Sequence, residues 1–108
     1  MDGLVSVIDN YINTLPDCTQ KPAYGFMCYF VKGRVFGLYD GEALVLKFDK
    51  PAGDQILLQR MGTRFKHAMN ASHRSWIRVN PEKVVTDEVL ETLIKQSYDY
   101  VLNSEPAA

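Results

Sequence analysis

The densest chemical cluster of the chain is KHAMNASHRSWIRV, residues 66–79, which holds both histidines, the only tryptophan, and the cations Lys66, Arg74 and Arg78. The charge around it is one-sided. Between Gln55 and Pro81 there is no Asp or Glu, while Arg60, Arg64, Lys66, Arg74 and Arg78 make five cationic residues. Three chemistries would use such a set. Cations alternating along neighbouring strands beside one aromatic ring make a surface that tracks a nucleic-acid backbone. A histidine beside a thiol makes a base–nucleophile pair, and two histidines with a cysteine supply part of a metal shell.

The second and third readings gain nothing from the spacing. Cys18 and Cys28 stand ten residues apart, outside any CxxC motif, and no pattern brings either of them to His67 or His73. H-x5-H across two strands is not a zinc-ligand spacing, and a histidine bonded to loop backbone is the ordinary alternative. The chain therefore reads as a non-enzyme with no catalytic residue, no metal site and no cofactor. Both thiols read as reduced: Cys28, inside an apolar run, as a small packed hydrophobe, and Cys18, in a loop, as the more accessible. Gly33, Gly37 and Gly41 punctuate a strand meander with no helix N-terminus after them, so they are not a phosphate loop. Asn70, Ser72 and Asn80 shape turns. Trp76, next to Ile77, reads first as a wall of the core and second as a stacking platform.

Hydrophobic periodicity predicts the elements that position these residues. Leu4, Ile8, Tyr11, Ile12 and Leu15 share one side of a helix over residues 3–15, which Pro16 ends. PDCTQKPAY, residues 16–24, carries two prolines and reads as a loop. FMCYFV, RVFGLY and ALVLKF follow as three strands, joined by Lys32-Gly33 and Asp40-Gly41 turns. Pro51 opens a short second helix, with Ile56, Leu57 and Met61 as its stripe and Gly62 just past its end. TRFKHA and SWIRV are two further strands joined by MNASHR. Thr86 caps a last helix running to Asn103, with Asp87 and Glu88 at its positive end and a stripe of Leu90, Leu93, Ile94, Ser97, Val101 and Leu102.

The expected order is α-β(3)-α-β(2)-α: an α+β fold with a mainly antiparallel five-stranded sheet, helices on one face, and the other face open to solvent or a partner. All 108 residues form a single domain, with residues 1–2 and 104–108 as frayed tails. The 46% hydrophobic and 23% charged composition excludes a disordered chain, and a net charge of −1 favours no class of partner. No apolar run approaches the ~18 residues of a membrane span, and Asp2 is unlike a signal-peptide start, so no membrane partner and a cytoplasmic location are expected.

YGFMCYFVKGRVFGLYDGEALVLKF resembles the N-terminal domain of TfoX (Sxy) competence regulators, in which an aromatic-glycine segment leads into a hairpin and a strand ending in a triplet like LKF. HAMNASHRSWIRV followed by VLETLIKQSYDYVL is similar to the YjbR/MmcQ family, with its His-Asn segment before a Trp strand and a Ser-Tyr pair, here Ser97 and Tyr98, in a terminal helix. Together the resemblances cover residues 22–103, and both imply an α-β(3)-α-β(2)-α fold of the secretion-chaperone type. The resemblance implies a small, non-catalytic bacterial regulatory or interaction domain acting by protein–protein contact, including with a second copy of itself as a homodimer. The alternative is a YjbR-type DNA-binding protein. The candidate surface for either comprises Lys47, Arg64, Lys66, His67, His73, Arg74, Trp76 and Arg78. Six acids against two bases in residues 82–108 oppose the DNA reading, because the last helix can neutralise that surface. Tyr98 and Tyr100 would serve an interface if exposed.

Overall fold

The structure, a computed structural model, describes residues 3–23, 25–64, 76–80 and 86–104, and of residues 3–5 the backbone alone. Its elements are α1 (Gly3–Ile12), β1 (Cys18–Ala23), β2 (Phe26–Val31), β3 (Arg34–Tyr39), β4 (Leu44–Lys47), α2 (Lys50–Leu58), β5 (Gly62–Arg64), β6 (Trp76–Val79) and α3 (Asp87–Asn103). The strands form one antiparallel sheet in the order β1-β2-β3-β4-β6-β5.

The sheet has six strands where five are expected from the sequence. The sixth, β1, lies in the stretch that reads as a loop. It pairs along its whole length with β2, from Cys18 opposite Val31 to Ala23 opposite Phe26. Pro22 and a half-exposed, polar composition are tolerable there because β1 is an edge strand and needs a neighbour on one side only. What demands it is β2, whose side chains from Cys28 to Val31 alternate between two buried clusters and whose backbone groups must be paired on both sides.

Two turns behave as the residue types dictate. Lys32 and Gly33 both take positive φ, 51° and 79°, which matches the β2–β3 hairpin to the strand twist. Residues 40–43 make a longer connection than the two-residue turn expected: the Asp40 carboxylate accepts the N–H groups of Glu42 and Ala43, both at 2.9 Å. The second helix begins as foreseen, with Asp49 as N-cap accepting the Ala52 N–H and Pro51 in the first turn. It ends sooner. Arg60, not Gly62, takes the left-handed conformation, and Gly62 opens β5, where a Cβ would meet Ile77 at 2.7 Å and the Arg78 carbonyl at 2.8 Å. Thr86 caps α3 through the Val89 N–H.

The helices cover one face of the sheet. Ile8, Ile12, Ile56, Leu90, Ile94 and Val101 meet Tyr29, Val31, Phe36, Leu44, Leu46, Ile77 and Val79 in the larger core. The other face is not the open one expected: Cys28, Phe30, Leu38, Val45 and Trp76 are buried on it, with Ala23, Phe26 and Val35 packed against them. The reason is visible in the strands themselves, since the central ones are apolar on both faces and cannot leave either to water. A bulge in β3 sets the register. Tyr29 opposes Gly37 but Phe30 opposes Val35, so Phe36 is the extra residue, and it turns into the helix-side core.

Candidate functional site

The predicted surface residues divide between the two faces. Directly opposed residues of antiparallel strands point the same way, so Lys47 lies on the side of Trp76, which it opposes, and Arg78 shares that side by period two. Arg64 opposes Ile77, a helix-side core residue, and therefore projects from the other face. There its guanidinium lies 3.9 Å from Asp54 of α2. Lys66, His67, His73 and Arg74 lie outside the described residues, as do MNASHR and all of TRFKHA beyond Arg64.

Within the second face, Arg78 is held by two acids. Its Nε donates to Asp40 Oδ2 at 2.7 Å and its Nη2 to Glu42 Oε1 at 3.1 Å. Burial alone would raise the Asp40 carboxyl, but the Arg78 hydrogen bond and the Ala43 and Glu42 N–H groups outweigh it and hold the carboxyl below its ordinary value. Arg78 thereby fastens the β3–β4 connection to β6. Trp76 is 1% exposed and walls the core, so its ring offers no free face to a base. Its indole Nε1 is buried and has no hydrogen-bond partner among the described residues.

The thiols do not meet. Cys18 packs at the margin of the helix-side core and Cys28 inside the other cluster, on opposite faces of the sheet, and both are free. Burial, with Asp17 adding to it, pushes the Cys18 thiol up to about 11; burial also raises Cys28, whose Sγ bonds the Ala23 carbonyl at 3.3 Å. Neither is a poised nucleophile at neutral pH. No group of three or more His, Cys, Asp or Glu side chains able to hold a metal occurs among the described residues.

Ser97 and Tyr98 prove architectural. The β3–β4 ladder stops at Gly37 and Leu46, and the buried Ser97 hydroxyl takes the place of the next rung. It accepts the Lys47 N–H at 3.1 Å and shares its one proton between the carbonyls of Phe36, at 2.8 Å, and Lys47, at 2.7 Å. Tyr98 is buried, its ring edge-on to Phe36 at 5.8 Å and its hydroxyl donating to the Pro16 carbonyl at 2.7 Å. The adjacent pair thus ties α3 both to the sheet and to the segment after α1.

The model of the YjbR family matches residues 13–100, a span that takes in both resembling stretches except Val101 and Leu102 at the end of the second. The chain belongs to the YjbR family. Among solved structures, it is similar to Deinococcus radiodurans protein DR2400, a crystal structure with a DUF419 domain, at a TM-score of 0.76 and 20% identity over 95% of this chain and 81% of that one. At that identity the likeness is one of fold. No curated protein matches the chain.

Among the described residues of this YjbR-family chain lies a concavity that the sequence does not announce. A groove of about 510 Å³ runs between the start of α2 and the last turns of α3, lined by Phe48, Asp49, Ala52, Gln96, Asp99, Tyr100, Asn103 and Ser104. The α3 residues recur at helical spacing, and that polar stripe, read beside the buried one, was the available signal. Arg34 was also missed: it donates to the Leu102 and Ser104 carbonyls, at 3.4 and 2.5 Å, and closes the end of α3 beside the groove. No helix among the described residues is long and apolar enough to cross a membrane.

Proposed function

We propose that this YjbR-family chain is a non-catalytic interaction domain that acts by protein–protein contact. The observation that carries the reading is the α2–α3 groove, whose apolar surface comes from the half-buried Ala52 and Tyr100 and which is rimmed by carboxylate and amide side chains. Concave apolar floors with polar rims suit recognition of another chain's side chains. Four groups among the described residues support the non-catalytic part: Ser97 and Tyr98 hold α3 in place, and both thiols are raised above their ordinary values. A cytoplasmic location belongs to the same reading.

DNA binding through the second face has less support, because Arg78 is neutralised by Asp40 and Glu42 and Arg64 faces the other way. Size-exclusion chromatography with light scattering, run with and without a fluorescent duplex at low salt, separates the two. Duplex retention that collapses steeply as salt rises would favour nucleic acid. Photo-crosslinking in cells from a reactive residue at Gln96 would give defined protein adducts on the contact reading; complete absence of adducts there and at other exposed sites would end it.

A further inference from the structure

We infer that the α2–α3 groove takes a second copy of this chain, with Leu58 as the anchor, an assignment that rests on the contact reading above. Among the described residues, only Met27 and Leu58 are large apolar side chains left exposed, at 41% and 74%. Leu58 is the more extreme, at the last position of α2, and it is followed within two residues by the exposed Arg60. An apolar knob beside a cation is thus displayed at one end of α2. The groove at the other end has the complementary character: apolar surface from the half-buried Ala52 and Tyr100, backed by the buried Phe48, carboxylates at Asp49 and Asp99, and no lysine or arginine in its lining.

The carboxylates are engaged, but in a way a partner can use. Asp49 Oδ1 accepts the Ala52 N–H, and Asp99 pairs with Lys95 four residues away at 2.9 Å. That pair is half-exposed, and surface pairs of this kind are weak enough to be exchanged.

Knob and groove cannot meet within one chain, because the six residue steps from Ala52 to Leu58, at a rise of 1.5 Å each, keep them about 9 Å apart along a rigid rod. They meet only between copies. The two patches differ, and when each copy gives one knob and receives another, the contact closes as a two-fold dimer. Tyr98 is sealed in the core, whereas Tyr100 is half-exposed in the groove, so of the two tyrosines only Tyr100 is placed to form an interface.

Sedimentation velocity over a rising concentration series tests the assignment. The wild-type mass climbs from 12.3 kDa towards twice that value. Leu58→Glu, at a site too exposed to matter for folding, returns it to the monomer, as does Asn103→Arg on the opposite wall. Arg60→Asp added to Asn103→Arg restores part of the association by setting an acid against the introduced arginine. A dimer indifferent to Leu58→Glu and Asn103→Arg overturns the groove assignment and leaves protein contact standing. A wild type that stays monomeric throughout overturns self-association; specific crosslinks to a different protein would then preserve the interaction reading, and their absence would remove both.

Discussion

On the helix-covered face of the sheet, the buried Ser97 hydroxyl meets three backbone groups; on the opposite face, the buried Trp76 indole Nε1 meets no hydrogen-bond partner among the described residues. The first face is fastened by directional bonds as well as by packing. The second holds a smaller apolar cluster, with an ion-paired clamp, Arg78 with Asp40 and Glu42, on the same side of the sheet. Because an orphaned buried donor costs about 1–3 kcal/mol, the second face combines the smaller apolar cluster with the less satisfied polar group. The helix side supplies a rigid frame, and the groove between α2 and α3 opens at its margin.

That contrast can be broken most forcefully at Phe36. Phe36→Ala removes a fully buried ring that touches Tyr29 and Tyr98, and should cost about 3–5 kcal/mol in urea unfolding. If Leu38→Ala on the second face costs as much, the faces contribute equally and the contrast fails. Ser97→Ala is expected next, at about 2 kcal/mol, since it strands the Lys47 N–H and the Phe36 carbonyl. Hydrogen exchange at the Lys47 amide should accelerate with it; unchanged exchange would show that the hydroxyl is not the missing rung.

The clamp on the second face should matter less. Asp40→Asn is expected to cost about 1 kcal/mol at neutral pH, the partial exposure of Arg78 discounting the pair. The folded carboxyl titrates below its ordinary value near 3.8, so its contribution is complete above that value and is lost as pH falls through the lower, folded one. Acid titration of stability should therefore show a drop in that window for the wild type and a shallower one for Asp40→Asn. The smallest change belongs to Trp76→Phe. Loss of ring volume and relief of the unpaired N–H oppose each other at about 1–3 kcal/mol each, leaving a net near zero. A large destabilisation would mean that the indole N–H has a partner in solution.

Much of the fold was legible before any coordinates. Leu90, Leu93, Ile94, Ser97 and Val101 are buried along α3 at the spacing the sequence displays, and Thr86 caps it. FMCYFV and RVFGLY are strands joined at Lys32-Gly33. The strand β1 was not legible, because Cys18–Ala23 has weak intrinsic preference and extends only through pairing with β2. The burial of a second face was also missed, although the continuous apolar run of β2 is the mark of a strand covered on both sides.

For the candidate site, less could be read. Lys47, Arg64, Trp76 and Arg78 were identifiable by type, but their sides of the sheet were not, since a shift of one residue in register reverses a strand's faces. Nor could the pairing of Arg78 with Asp40, 38 residues earlier, be seen in the chain.

By itself the sequence determined the class of the fold, three helices, most of the strands, and the absence of any motif that dictates a reaction, because periodicity, caps and turn residues act over a few neighbours. Only the tertiary structure decided the sixth strand, the partners of Arg64 and Arg78, the fate of Ser97 and the existence of the groove. Those depend on which distant segments lie side by side, and that is a property of packing shared by the whole chain.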